Sequence, residues 1–141
     1  MTGPKAGKRL SAVTIAADDA LVDHKAYWAA ARSPAEASYL TAVLNSAAVL
    51  AKITDLQPRG EVNPRDFDNL VWTLPIPEYD PADPLHRDLA AAATQAEAIA
   101  AAVPLADTQH FTAKRRAIRT ALAEDGIAAE MEALVDALLP P

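Results

Sequence analysis

Apolar positions along this chain follow two periods, and the change between them divides the early part from the rest. In "SAVTIAADDALVDHKAYWAAA", Val13 and Ile15 alternate with small or polar neighbours, Asp18-Asp19 suits a tight turn, and Leu21 to Trp28 is rich in strand-favouring residues. This pattern predicts an antiparallel hairpin. The period then becomes helical. In "SPAEASYLTAVLNS", Ser33 is suited to cap a helix, Pro34 to open it and Glu36 to close a capping box at the third helical position. Tyr39, Leu40, Val43 and Leu44 follow at helical spacing. Asn45-Ser46 interrupts, because both side chains compete for backbone hydrogen bonds. Ser46 can cap a second helix carrying Val49, Leu50 and Ile53, which Pro58 and Gly60 end.

"NPRDFDNL" repeats the capping pattern with Asn63, Pro64 and Asp66, and predicts one helical turn. "LVWTLPIP" reads as a short strand at a sheet edge, since Pro75 and Pro77 remove two amide donors. Helical periodicity then returns. In "DPLHRDLAAAATQAEAIAAAV", Asp83 can cap and Pro84 can start. Leu85, Leu89, Ala92, Ala96, Ile99 and Val103 recur at steps of four and three, a seam of coiled-coil type that Pro104 ends. "FTAKRRAIRTALAEDG" predicts a helix with Ile118 and Leu122 inward, closed by Gly126. The last helix carries Ile127, Met131, Leu134, Val135 and Leu138 on one face. The expected fold is therefore α+β: a small antiparallel sheet with inserted helices, followed by a C-terminal helical hairpin or three-helix tail. Residues 1–10 are expected to be a flexible lead-in, 11–78 a small α+β region, and 79–141 a helical tail packing on it in one compact domain.

Composition narrows the chemistry. The 141 residues suit one modest core, and aromatics make up only 5%, so that core must rest on Leu, Ile, Val and Ala. There is no cysteine, which excludes disulfides and thiolate metal sites and fits a cytoplasmic location. No apolar run reaches the roughly 18 residues of a membrane span. The basic N-terminus lacks the apolar stretch of a secretory signal. Charge is uneven: residues 1–76 hold 8 Lys/Arg and 8 Asp/Glu, whereas residues 77–141 hold 5 against 11, so the whole net charge of −6 lies in the second half. An acidic chain is a poor autonomous DNA binder, because non-specific affinity comes largely from phosphate neutralisation. Any DNA contact is expected in the neutral first half, or with help from another domain.

Catalytic patterns are missing. His24, His86 and His110 lie far apart, none at metal-ligand spacing, and His86 is expected at the surface. His24 beside Asp23 on a strand would point to the opposite face. The serines lack a nucleophile-elbow context, and the four glycines form no phosphate-cradling loop. No catalytic residue, cofactor or metal is expected. Two basic clusters remain. Lys114, Arg115, Arg116 and Arg119 share one helix and read as a charged face balanced by Glu124 and Asp125. The stretch from Lys52 to Arg65 holds Gln57, Arg59, Gly60 and Asn63 with few acids, a chemistry suited to phosphates and base edges.

The segments around this stretch carry a resemblance. Glu36-Ala37, Tyr39-Leu40, Leu44-Asn45-Ser46, Arg59-Gly60, Arg65-Asp66-Phe67 and Leu74-Pro75-Ile76-Pro77 stand in the order found in the C-terminal region of bacterial N6-adenine DNA methyltransferases of restriction–modification systems. There an "EA.YL.A.LNS" helix leads through a basic, glycine-containing loop to "LPIP". The helix "DPLHRDLAAAATQAEAIA" is similar to the one that follows. The resemblance covers roughly residues 20 to 103. It implies a part that supports target recognition, while methyl transfer belongs to an N-terminal Rossmann-like domain that binds S-adenosylmethionine and carries an "NPPY"-type loop. This chain has neither, and "NPRD" at Asn63–Asp66 lacks the second proline and the aromatic. The expectation is a non-catalytic DNA-recognition or recognition-support part, with Lys52, Gln57, Arg59 and Arg65 contacting DNA and Gly60 letting the backbone approach. Its expected partners are DNA and a methyltransferase domain. Leu40, Leu44, Leu74 and Ile76 are then scaffold. The alternative is a helical docking or dimerisation module, with a second copy pairing through the Leu85–Val103 seam.

Overall fold

The computed structural model describes residues 10–16, 21–22, 26–56 and 68–139. These form five α-helices and one 3₁₀ segment: α1 (Pro34–Leu44), α2 (Ala47–Leu56), the 3₁₀ segment Asp68–Thr73, α3 (Pro84–Ala102), α4 (Phe111–Asp125) and α5 (Ile127–Leu138). No β-strand occurs among the described residues, so the expected α+β fold with an antiparallel sheet is replaced by an all-helical one.

The helix boundaries follow from local chemistry. Ser33 accepts the Glu36 amide at 3.1 Å, and Pro34 opens α1. The reciprocal half of the capping box differs: the Glu36 carboxylate takes the amide of Arg32, one residue earlier than Ser33. Ser46 ends one helix and begins the next. Its hydroxyl donates to the Val43 carbonyl at 2.7 Å and accepts from the Val49 amide at 3.2 Å, and the axes of α1 and α2 meet at 62°. Asp83 caps α3 through the Leu85 amide at 2.8 Å. Gly126, at φ +94°, joins α4 to α5 in the left-handed conformation that a tight helix–helix corner requires.

The main core gathers Tyr39 and Val43 of α1, Val49 and Ile53 of α2, Leu89 of α3 and Val135 of α5, all fully buried. Each such side chain contributes roughly 1.5–3 kcal/mol. Ala42, Ala90 and Ala93 also lie in this cluster, and their small size lets α1 and α3 pack closely. Ala92, Ala96 and Ile127 form a second cluster among α3, α5 and the inner side of α4. The α3 seam is thus occupied within the chain, at Leu89, Ala92 and Ala96, by the protein's own helices. α4 is the outermost element and has no fully buried residue.

Both expected pieces of the sheet, the N-terminal hairpin and the edge strand, are absent among the described residues, each for a physical reason. Residues 10–16 form no ladder. Asn45 holds this stretch instead, accepting the Ala12 amide at 3.0 Å and donating to the Ala12 carbonyl at 2.9 Å. Val13 and Ile15 do alternate, but outward, at 78% and 62% exposure, so their pattern buries nothing. Leu21 and Trp28 are likewise exposed. The Asp18-Asp19 turn and the Asp23–His24 pair lie outside the described residues. The second strand, expected over Leu70–Pro77, is a 3₁₀ turn that buries Val71 against the main core. Thr73 donates its hydroxyl to the Leu70 carbonyl at 2.7 Å, and the Leu74 amide bonds the Val71 carbonyl at 3.3 Å. Tertiary burial of one valine overrides the strand propensity of Val71, Trp72 and Thr73. The helical turn expected at Asn63–Asp66 lies outside the described residues.

Candidate nucleic-acid interface

Two of the sequence segments singled out above, α1 itself and residues 74–77, pack together, whereas Arg59-Gly60 and Arg65-Asp66-Phe67 lie outside the described residues. Residues 74–83 have no regular structure beyond a short turn, yet side chains fix them from several directions. The buried Tyr39 hydroxyl donates to the Pro77 carbonyl at 2.9 Å. Arg32 pairs with Glu36 at 2.6 Å and reaches Glu78 at 3.6 Å, linking the first turn of α1 to the residue after Pro77. Leu74, Ile76 and Tyr79 pack on the main core together with Leu40 and Leu44, so the expected scaffold residues sit in one cluster.

His86 closes this arrangement and is buried, contrary to the surface position expected from sequence. Its Nδ1 accepts the Asp80 amide at 2.9 Å, which leaves the ring proton on Nε2, 3.9 Å from an Asp83 carboxylate oxygen. The ring lies 4.9 Å from that of Tyr39 and 6.2 Å from that of Tyr79. The imidazole's acceptor is therefore spent on holding the loop, which is a structural role. The sequence signal for it was its place in the first turn of α3, three residues after a loop that bears Tyr79.

Electrostatics agree with the geometry. The hydrogen bond from the Arg32 guanidinium holds the Glu36 carboxyl below its usual range, reinforced by the Arg32 amide and opposed by burial. The same bond raises Arg32. Burial pushes the Tyr39 phenol up to about 12, with Asp83 adding to the effect.

Of the five residues expected at a DNA interface, Lys52 lies midway along α2 and is half-buried. Gln57, Arg59, Gly60 and Arg65 lie outside the described residues. The flanks of their segment are placed: α2 ends at Leu56, the 3₁₀ turn begins at Asp68, and the two elements pack together, with Ile53 and Val71 in the same core. α2 is also anchored at its start, where the Glu132 carboxylate of α5 accepts the Ala47 amide at 2.9 Å.

Enclosed chemistry is sparse among the described residues. A groove of about 370 Å³ between α1 and α3, lined by Pro34, Ala35, Ser38, Tyr79, Arg87 and Ala90 among others, is open and mainly apolar. The Arg87 guanidinium there is engaged by the carbonyls of Pro81 and Ala82 at 3.0 and 2.9 Å. No group of three His, Asp or Glu is arranged to hold a metal ion among the described residues. No single described helix is long and apolar enough to cross a membrane.

The second basic cluster differs from its sequence reading. Glu124 and Asp125 do not pair with it, and Asp125 instead accepts a hydrogen bond from Gln95 of α3 at 3.4 Å. Comparison with known proteins gives no matching family model, no matching curated protein and no matching solved structure.

Proposed function

We propose that this chain is a non-catalytic DNA-recognition or recognition-support part of an N6-adenine DNA methyltransferase of the restriction–modification type. One observation supports the reading: two of the segments that resemble that family, the "YL" helix and "LPIP", pack on each other, with Tyr39 bonded to Pro77. The basic stretch from Lys52 to Arg65 runs between them in sequence, and its flanks are anchored by the α2–3₁₀ contact. In this role Lys52, Gln57, Arg59 and Arg65 contact phosphates and bases, and Gly60 permits close approach. Methyl transfer and S-adenosylmethionine belong to a separate catalytic domain or subunit.

Fluorescence anisotropy of a labelled duplex tests this, at about 50 and 200 mM salt. Salt-sensitive binding by the chain that weakens in Arg59→Ala/Arg65→Ala is the expected result. No binding at either salt overturns direct DNA contact.

A second reading rests on the exposed apolar side chains near the N-terminal end. Val13, Ile15, Leu21 and Trp28 are 62–101% exposed. A docking module would cover them with a partner protein. Sedimentation velocity over a concentration series checks whether that partner is a second copy, and a clean monomer at high concentration rules the second copy out.

A further inference from the structure

The outermost helix carries charge that its own fold does not use. Four of the five Lys/Arg residues in 77–141 are Lys114, Arg115, Arg116 and Arg119, and residues 111–123 contain no acid. Helical geometry places Arg115, Arg119 and Arg116 within an arc of about 100°. All three are exposed. None of the four cations forms an ion pair or a side-chain hydrogen bond with a described residue.

Helix stability does not account for this pattern. The first turn of α4 has no acid and the cations follow directly behind it, while Glu124 and Asp125 stand at the C-terminal end. Both ends therefore oppose the helix dipole. Adjacent and i,i+4 cations also repel one another. An anionic ligand on this face would relieve that repulsion.

We propose that the Arg115–Arg116–Arg119 face of α4 contacts the phosphate backbone of duplex DNA, separately from the Lys52–Arg65 stretch. The inference rests on the DNA-binding reading above and adds a second surface to it. Arginine forks match phosphate oxygens, and the rise of about 6 Å from Arg115 to Arg119 lets the two meet different phosphates of one strand, which carries a charge every ~3.4 Å along its axis. Thr112 shares the arc and offers a hydroxyl. The arc itself holds no large apolar side chain of the kind that anchors a peptide, and Phe111, exposed at its margin, lies tilted against the His110 ring with ring centres 4.7 Å apart. This favours a nucleic-acid backbone over an acidic protein.

The test compares the full chain, its Arg115→Gln/Arg116→Gln/Arg119→Gln variant and its Arg59→Ala/Arg65→Ala variant, using a labelled duplex of arbitrary sequence. The triple variant is expected to melt no lower than the parent, because it loses repulsion and no bond. It should bind more weakly. Three phosphate contacts at ~0.9 each make the parent lose roughly 40-fold more affinity than the triple variant when salt rises from about 50 to 200 mM. Loss in the triple variant, with or without loss in the double, supports the α4 contact. Loss in the double alone overturns it while leaving the Lys52–Arg65 site standing. A parent chain that binds no duplex overturns both, and binding of labelled polyglutamate in its place would assign the face to an acidic protein.

Discussion

The hydroxyl of Tyr39 and the carbonyl of Pro77 are joined by a 2.9 Å hydrogen bond across 38 positions of sequence. This bond fastens a proline-rich segment, which cannot build a ladder of its own, to the most buried face of α1. Tyr39→Phe keeps the ring against His86 and Tyr79 but leaves the Pro77 carbonyl without its donor. The expected cost is about 1–3 kcal/mol, read as a lower thermal midpoint. In an alkaline titration followed by tyrosine absorbance, Tyr39 should ionise only as the pH approaches about 12. The stability linked to Tyr39 is complete below its ordinary value of 10.0 and is lost as pH rises from there through about 12. In Tyr39→Phe the absorbance step near about 12 should disappear.

Glu36 gives the opposite sign. Its carboxyl is held below the ordinary 4.5 by Arg32, so its contribution is present above that value and is lost as pH falls through the lower folded value. Glu36→Gln should melt below the parent at neutral pH. The gap between the two midpoints should shrink as pH falls below 4.5, because acid removes from the parent what the substitution has already removed. A gap that stays constant from neutral to acid pH would rule out the charged pair as its source.

The corner between α4 and α5 isolates a backbone effect. Gly126 sits at φ +94°, and an added Cβ would meet nothing within 4 Å. Gly126→Ala therefore costs only the left-handed conformation, about 1–2 kcal/mol. Gly126→Asn should cost less, since asparagine tolerates this region better. Thermal melts of both variants check the order, and equal midpoints would mean that the corner relaxes to another conformation.

What could be read from sequence was what neighbouring residues decide. Ser33-Pro34, Asp83-Pro84 and Gly126 bound helices where local capping chemistry places them. The α3 seam was legible because its period is a property of one helix. The errors arose where distant partners decide. Val13 and Ile15 alternate as a strand does, but Asn45, more than 30 positions away, supplies the polar partners that Ala12 has among the described residues. Leu70–Thr73 has strand propensity, yet burying Val71 beside Ile53 winds it into a 3₁₀ turn. His86 looked like a surface residue because its partners Tyr39 and Asp80 lie on other elements. At the candidate interface, the basic composition of both clusters was legible. The lack of acids over residues 111–123 was legible as well, whereas the engagement of Asp125 by Gln95 of α3 was not, because it joins two helices 30 positions apart.

Asn45 yields the last prediction, because its role in "LNS" proves to be long-range. Its Nδ2 donates to the carbonyls of Ala12 and Thr41, both at 2.9 Å, and its Oδ1 accepts the Ala12 amide at 3.0 Å. The amide group thus imitates one rung of a β-ladder, offering a donor and an acceptor to the same residue. Asn45→Ala removes all three bonds and leaves, among the described residues, the 2.9 Å contact between the Thr14 and Thr41 hydroxyls as the side-chain hydrogen bond for this stretch. Asn45→Asp should do more damage despite its similar shape. Its carboxylate can still accept the Ala12 amide, but it has no donor and sets a negative charge against two carbonyls. The site is exposed, so each lost bond is worth only about 0.5–1.5 kcal/mol, and global melting should move little. Local release is the sensitive readout. Hydrogen exchange at the Ala12 amide and proteolysis within residues 10–16 should both accelerate in Asn45→Ala, while Asn45→Asp should accelerate proteolysis at least as much. Unchanged exchange and cleavage in both variants would mean that packing of Leu10 on the core, and not the asparagine, holds the segment in place.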